Sequence, residues 1–147
     1  GRERHAKQGI DIMGKYILVV DDEPEVLGAL NSRLVKQGYK VKTVETGKEA
    51  TKVFVESYYD HPFDVILLDV NLPDINGCDV LREIRQEEEI RGLKYDDGVK
   101  IIMQTGLKES WMDAFNHGCD DYIIKPYAFE DLLKKIKEKT GEIPMEG

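Results

Sequence analysis

The sequence predicts an α/β fold: one parallel sheet with helices on both faces and right-handed crossovers. Three observations lead there. Short apolar runs without polar alternation, Ile17-Leu18-Val19-Val20, Val65-Ile66-Leu67-Leu68, Ile101-Ile102-Met103 and Tyr122-Ile123-Ile124, read as strands buried on both faces. Stretches with apolar residues at helical spacing alternate with the strands, five times over. Each of these runs ends in a polar group: Asp21-Asp22, Asp69, Thr105 after one intervening Gln104, and Lys125. In a parallel sheet the strand ends share one edge, and in open α/β sheets ligands bind there.

Residues 1 to about 14 lack periodicity and are expected to be a flexible leader or an expression remnant. The first strand spans Lys15 to Val20. Asp21-Asp22-Glu23-Pro24 then opens a helix, because Pro suits the first helical position and acidic residues suit the positive end of the dipole. Val26, Leu27, Leu30 and Leu34 keep helical spacing until Gly38 stops the run. Tyr39 to Val44 alternates as a strand does. Thr46-Gly47 turns into a second helix with Ala50, Val53 and Phe54 on one face, followed by a polar loop from Ser57 to Phe63.

Val65 to Leu68 is the third strand, with Asp69 the first residue beyond it. Asn71 to Gly77 is dense in turn residues. A third helix carries Val80, Leu81 and Ile84. The charged stretch from Gln86 to Gly98 reads as a solvated helix end and loop. Val99 to Met103 is the fourth strand; Trp111, Met112 and Phe115 mark a short fourth helix ending near Gly118. Asp121 to Ile124 is the fifth strand, and Phe129, Leu132, Leu133 and Ile136 build a fifth helix that stops at Gly141. Residues 15–141 are thus expected to form a single domain, with 142–147 a mobile tail.

Composition narrows the function classes. The 147 residues suit one domain with an ordinary core. No apolar run approaches the roughly 20 residues of a membrane helix, and no secretory signal is visible, so a cytoplasmic protein is expected. Cys78 and Cys119 fit no metal spacing and read as reduced thiols; His5, His61 and His117 are scattered. A net charge of −8 argues against binding nucleic acid unaided, since phosphate neutralisation needs clustered Lys and Arg.

That acidity fits a site that takes a cation. Asp21, Asp22 and Asp69, held at one sheet edge, would repel one another, and a divalent cation relieves the repulsion. All-oxygen ligation with room for water and a phosphate oxygen suits Mg²⁺. Asp69, ending the central run, is the candidate nucleophile, because aspartate forms aspartyl phosphates. Lys125 would balance charge on an incoming phosphoryl group, and Thr105 would donate a hydrogen bond to it. Taken singly, Asp21-Asp22 also suits a helix cap, Thr105 a loop hydroxyl and Lys125 a surface lysine. Asp69 is different, since a carboxylate ending a buried strand needs a partner.

The segments Ile17 to Pro24, Leu68-Asp69-Val70-Asn71-Leu72-Pro73 with Gly77, Thr105-Gly106 and Tyr122-Ile123-Ile124-Lys125-Pro126, in this order, resemble the receiver domain of two-component response regulators. The resemblance covers Lys15 to Gly141. It implies a flavodoxin-like sheet of strand order 2-1-3-4-5. It implies that Asp69 accepts phosphate from the histidine of a sensor kinase or phosphotransfer protein. Asp22 and Asp69 would bind Mg²⁺ with the Asn71 backbone carbonyl, Asp21 assisting, and the Lys125–Pro126 bond would be cis. Thr105 and Tyr122 would be the switch pair, acting on an output domain or partner through the fourth helix, fifth strand and fifth helix; a homodimer is a further partner option. Residues such as Asn71 and Leu107 would tune the lifetime of the phosphoryl group. The chain departs from the family's common pattern at Gly106, where Ala is more usual, at Tyr127, where Phe is commoner, and in the long charged stretch before the fourth strand.

Two rivals are weighed against this. A phosphatase of the haloacid-dehalogenase type also uses an aspartate nucleophile but wants an acid/base Asp two residues later, where this chain has Asn71. A flavodoxin would cradle its flavin phosphate in the first βα loop, where Asp21-Asp22-Glu23 would repel it. The expectation is therefore a signalling domain and not an enzyme that turns over outside substrates.

Overall fold

The computed structural model describes residues 14–93, 97–106 and 118–144. Five strands run in parallel: β1 (Tyr16–Val20), β2 (Lys40–Val44), β3 (Val65–Asp69), β4 (Lys100–Thr105) and β5 (Asp121–Ile124). Their order is 2-1-3-4-5, the flavodoxin-like arrangement. Four helices lie among the described residues: α1 (Pro24–Lys36), α2 (Gly47–Ser57), α3 (Gly77–Ile90) and α4 (Phe129–Lys139). Here α4 is the fifth helix the sequence predicts. The predicted fourth, with Leu107, Trp111, Met112 and Phe115, falls outside the described residues, as do 1–13 of the leader and 145–147 of the tail.

Strand alternation divides the core into two layers. Leu18, Val20, Ile66, Leu68, Ile101 and Met103 face α2 and α3, where they meet Ala50, Phe54, Val80, Leu81 and Ile84. Ile17, Val19, Val65, Leu67, Ile102 and Ile123 face the other way, onto Leu27, Leu30 and Leu34 of α1 and Leu132 and Ile136 of α4. Both faces being covered, β1 and β3 read as continuous apolar runs. The edge strand β2 is half exposed and alternates.

Local signals act where expected. Pro24 opens α1, and Gly38 at φ +100° closes it in the left-handed region that glycine adopts without strain; Tyr39 N–H reaches back to the Leu34 carbonyl at 3.3 Å. Asn76 caps α3 through Cys78 N–H at 2.7 Å. Asp74 reaches across to cap α2, accepting from Gly47 N–H at 2.8 Å and Lys48 N–H at 2.9 Å.

Two expectations need correction. Asp69 and Thr105 are the last residues of β3 and β4 and lie inside the ladder, Asp69 opposite Gln104 and Thr105 opposite Ile124. The charged stretch from Gln86 is not simply solvated. The helix continues to Ile90 and turns Glu88 inward to 3% exposure. There Glu88 takes the Val99 N–H at 2.7 Å and the Arg85 guanidinium at 2.7 Å, while Arg85 also donates to the Gly118 and Val99 carbonyls, each at 2.9 Å. Glu88 follows Leu81 and Ile84 by helical periods, so it belongs to the apolar stripe by position, and a buried carboxylate there requires its guanidinium partner.

Candidate functional site

The C-terminal ends of β1, β3, β4 and β5 meet as the sequence predicts. Asp21, Asp22 and Asp69 each place a carboxylate oxygen within 4.8 Å of the others. Asp21 is fully buried and Asp69 is 3% exposed, while Asp22 faces solvent. Lys125 Nζ bonds Asp69 Oδ2 at 2.6 Å and lies 3.7 Å from Asp21 Oδ2. The Lys125–Pro126 peptide is cis.

Backbone groups hold the carboxylates in place. Asp69 Oδ1 accepts from Asn71 N–H at 3.0 Å, and Asp21 Oδ1 accepts from Glu23 N–H at 2.9 Å. Gly77 lets the start of α3 pack onto the backbone of Asp69 and Val70: its N–H donates to the Val70 carbonyl at 2.7 Å, and a Cβ built there would lie 2.1 Å from the Asp69 carbonyl oxygen.

Burial pushes the Asp69 carboxyl above the usual carboxylate range, and nearby Asp21 adds to this; the Lys125 ammonium and the Asn71 N–H pull the other way. Burial alone would lower Lys125, but its bond to Asp69 and the charges of Asp69 and Asp21 hold it above its ordinary value.

The donor set fits Mg²⁺. It is all oxygen, with few protein ligands and one of them open to solvent. Three carboxylates facing one ammonium leave two negative charges for a divalent cation to balance. The backbone N–H of Asn71 is committed to Asp69.

Thr105 is buried at the end of β4, its hydroxyl donating to the Gly106 carbonyl at 3.2 Å and its carbonyl accepting from Lys125 N–H at 2.9 Å. Tyr122 pairs in register with Met103, two residues before Thr105, so both members of the pair share one face of the sheet. Tyr122 packs half-buried against the core between the sheet and α2–α3. Cys78 and Cys119 are buried and not joined in a disulfide, the Cys119 thiol pushed up to about 12 by burial and the neighbouring Asp120.

One group here was not identified from sequence. Gln104 is fully buried beside Asp21, and Tyr127 donates a hydrogen bond to it. The available signal was an amide interrupting an apolar strand.

Comparison with known proteins agrees with this geometry. Residues 17–137 match the model of the response regulator receiver domain. The chain is 35% identical over 121 residues to the transcriptional regulatory protein KdpE of Mycobacterium tuberculosis, covering 82% of this chain and 49% of that protein. It spans about half the length of the curated relatives it matches. The receiver domain of sensor histidine kinase PA1611 of Pseudomonas aeruginosa, solved with a magnesium ion coordinated in its active site cleft, superposes with TM-score 0.72 at 30% identity, covering 87% of this chain and 98% of that one. The receiver domain of Saccharomyces cerevisiae Ssk1, solved with the histidine phosphotransfer protein Ypd1, gives TM-score 0.77 at 27% identity, covering 90% and 92%. Among the described residues no helix is long and apolar enough to cross a membrane.

Proposed function

The chain belongs to the response regulator receiver domain family, and we propose that it is the phosphoacceptor of a two-component phosphorelay, with Asp69 taking a phosphoryl group from a partner's histidine. The observation that carries this reading is the Asp69 carboxylate at the end of β3, bonded to Lys125 at 2.6 Å and grouped with Asp21 and Asp22. An Asp69 carboxylate oxygen attacks phosphorus. The phosphorus–nitrogen bond to the imidazole breaks, its electron pair leaves with the ring nitrogen, and the product is an acyl phosphate.

The residues supply position and charge. Asn71 N–H orients the nucleophilic carboxylate. Lys125 balances charge on the transferred group from a fixed point at the β5 end. Asp21, Asp22 and Asp69 with the Asn71 carbonyl would hold Mg²⁺, which when bound stabilises charge on phosphoryl oxygens. The magnesium-bearing receiver of PA1611 supports that assignment, and the Ypd1–Ssk1 complex supports a histidine kinase or phosphotransfer protein as donor.

Output follows from Thr105 and Tyr122. Once phosphorylated, Asp69 carries about −1.5 to −2 charge and strong acceptor oxygens, which draw the Thr105 hydroxyl inward and free space for the Tyr122 ring. The surface so altered, β5 with α4 and the helix predicted before β5, would act on an output domain or partner protein. The chain itself would work in the cytoplasm without touching nucleic acid.

The test is intact-mass analysis with acetyl phosphate. With Mg²⁺ the chain should gain one phosphoryl group; Asp69→Asn, or omission of metal, should abolish the gain. Stoichiometric labelling of Asp69→Asn would overturn the assignment.

A further inference from the structure

Gln104 is fully buried in a strand whose other interior residues are Ile101, Ile102, Met103 and Thr105. A buried amide must satisfy donors on one side and an acceptor on the other. Its Nε2 faces Asp21 Oδ2 at 3.5 Å, a long contact, and its Oε1 accepts a hydrogen bond from the Tyr127 hydroxyl.

Chemistry allows only this orientation. An ionised carboxylate accepts and cannot donate, so the amide nitrogen must face Asp21. The amide oxygen then faces Tyr127, whose hydroxyl must donate. Without that hydroxyl the amide oxygen loses its partner on the Tyr127 side, and a flipped amide would set its oxygen against the carboxylate. Asp21 is otherwise fixed at Oδ1 by Glu23 N–H at 2.9 Å, so Gln104 and Lys125 between them govern Oδ2. Tyr127 itself lies in a groove of about 550 Å³ between α1 and the turn after β5, beside Leu30, Arg33 and Phe129.

We propose that Gln104 and Tyr127 form a positioning relay for the metal site: Tyr127 sets the amide, and the amide sets the Asp21 carboxylate that binds Mg²⁺. This rests on the reading of Asp21 as a Mg²⁺ ligand. Removing the outer partner of a metal ligand typically weakens metal binding about 10–100-fold.

The experiment is calorimetric titration of the full 147-residue chain with MgCl₂. The variants are Tyr127→Phe, Gln104→Met, their double, and Tyr39→Phe, with far-UV circular dichroism confirming the fold. Tyr39 donates a comparable hydroxyl bond, to Glu142 at 2.7 Å, at the opposite edge of the sheet. Tyr127→Phe and Gln104→Met should each weaken Mg²⁺ binding roughly 10-fold or more, and Tyr39→Phe should match the parent. The double should bind no more weakly than Gln104→Met, because without the amide the hydroxyl has nothing to orient. Parent affinity in both single variants, or losses that multiply in the double, would overturn the relay. Should Gln104→Met not fold, Tyr127→Phe alone decides, since it removes one oxygen. A parent that takes up no Mg²⁺ overturns the metal-site reading itself, and the relay with it.

Discussion

Gly77→Ala is a severe perturbation for one methyl group. The added Cβ would lie 2.1 Å from the Asp69 carbonyl oxygen, 2.8 Å from the Val70 Cα and 2.9 Å from the Asp69 carbonyl carbon. All three are backbone atoms, so no side chain can rotate away. Ordinary contact begins at 3.4 Å, so methyl and carbonyl must separate by about 1.3 Å. Overpacking of this kind costs about 1–3 kcal/mol, and a rigid backbone obstacle puts Gly77→Ala near the upper end. The displaced residue is the proposed nucleophile, and a misplacement of about 1 Å can slow a positioned reaction roughly 100-fold. Gly28→Ala is the control: it lies within α1 with nothing inside 4 Å of its Cβ, and it should gain about 0.5–1 kcal/mol from helix propensity alone. Urea unfolding and the rate of labelling by acetyl phosphate read the two effects separately. Gly77→Ala with parent stability and parent labelling rate would refute the argument that α3 is seated on Asp69.

Asp121 accepts from the Tyr122 N–H and pairs with Lys135 at 3.1 Å and Lys139 at 3.2 Å; burial opposes its ionisation, but these partners hold its carboxyl below the usual range. Such a group stabilises the fold above its unfolded value, about 3.9, and that contribution is lost as pH falls through the depressed folded value. Asp121→Asn should therefore cost about 1–2 kcal/mol at neutral pH, with the gap from the parent closing below about pH 4; a gap constant into acid would contradict this. The switch pair is read through Trp111, the chain's only tryptophan. Its fluorescence should respond to beryllofluoride with Mg²⁺ in the parent and much less in Thr105→Ala or Tyr122→Ala, the coupling being worth about 1–3 kcal/mol. A parent-sized response in both variants would remove Thr105 and Tyr122 from the switch.

The fold was legible because a strand buried on both faces leaves an unbroken apolar run, as β1 and β3 do, and because helices between such runs force a parallel sheet. The strand order came from the resemblance, since periodicity does not say which strands are neighbours. The candidate site was legible at Asp21, Asp69 and Lys125 because each follows an apolar run directly, and at Asp22 because it comes next after Asp21. Hydropathy ended β3 before Asp69 and β4 at Met103, yet the ladder runs on through Asp69, Gln104 and Thr105, whose backbone groups pair whatever their side chains carry. Glu88 stands between two other glutamates, and composition reads all three as solvated; only its helical phase with Leu81 and Ile84 marks it as turned inward. The partners of Gln104 stayed hidden because Asp21 and Tyr127 are far from it in sequence, and a hydrogen bond across the sheet edge has no local signature.

The central claim is that Asp69 is the residue that carries the phosphoryl group, and borohydride trapping tests it most directly. An acyl phosphate is reduced by borohydride to an alcohol, converting the modified aspartate to homoserine, while an unmodified carboxylate is left intact. After labelling in Mg²⁺, peptide mass mapping should find homoserine at Asp69, with Asp21 and Asp22 unchanged. Homoserine at Asp21 or Asp22 with Asp69 intact would contradict the account.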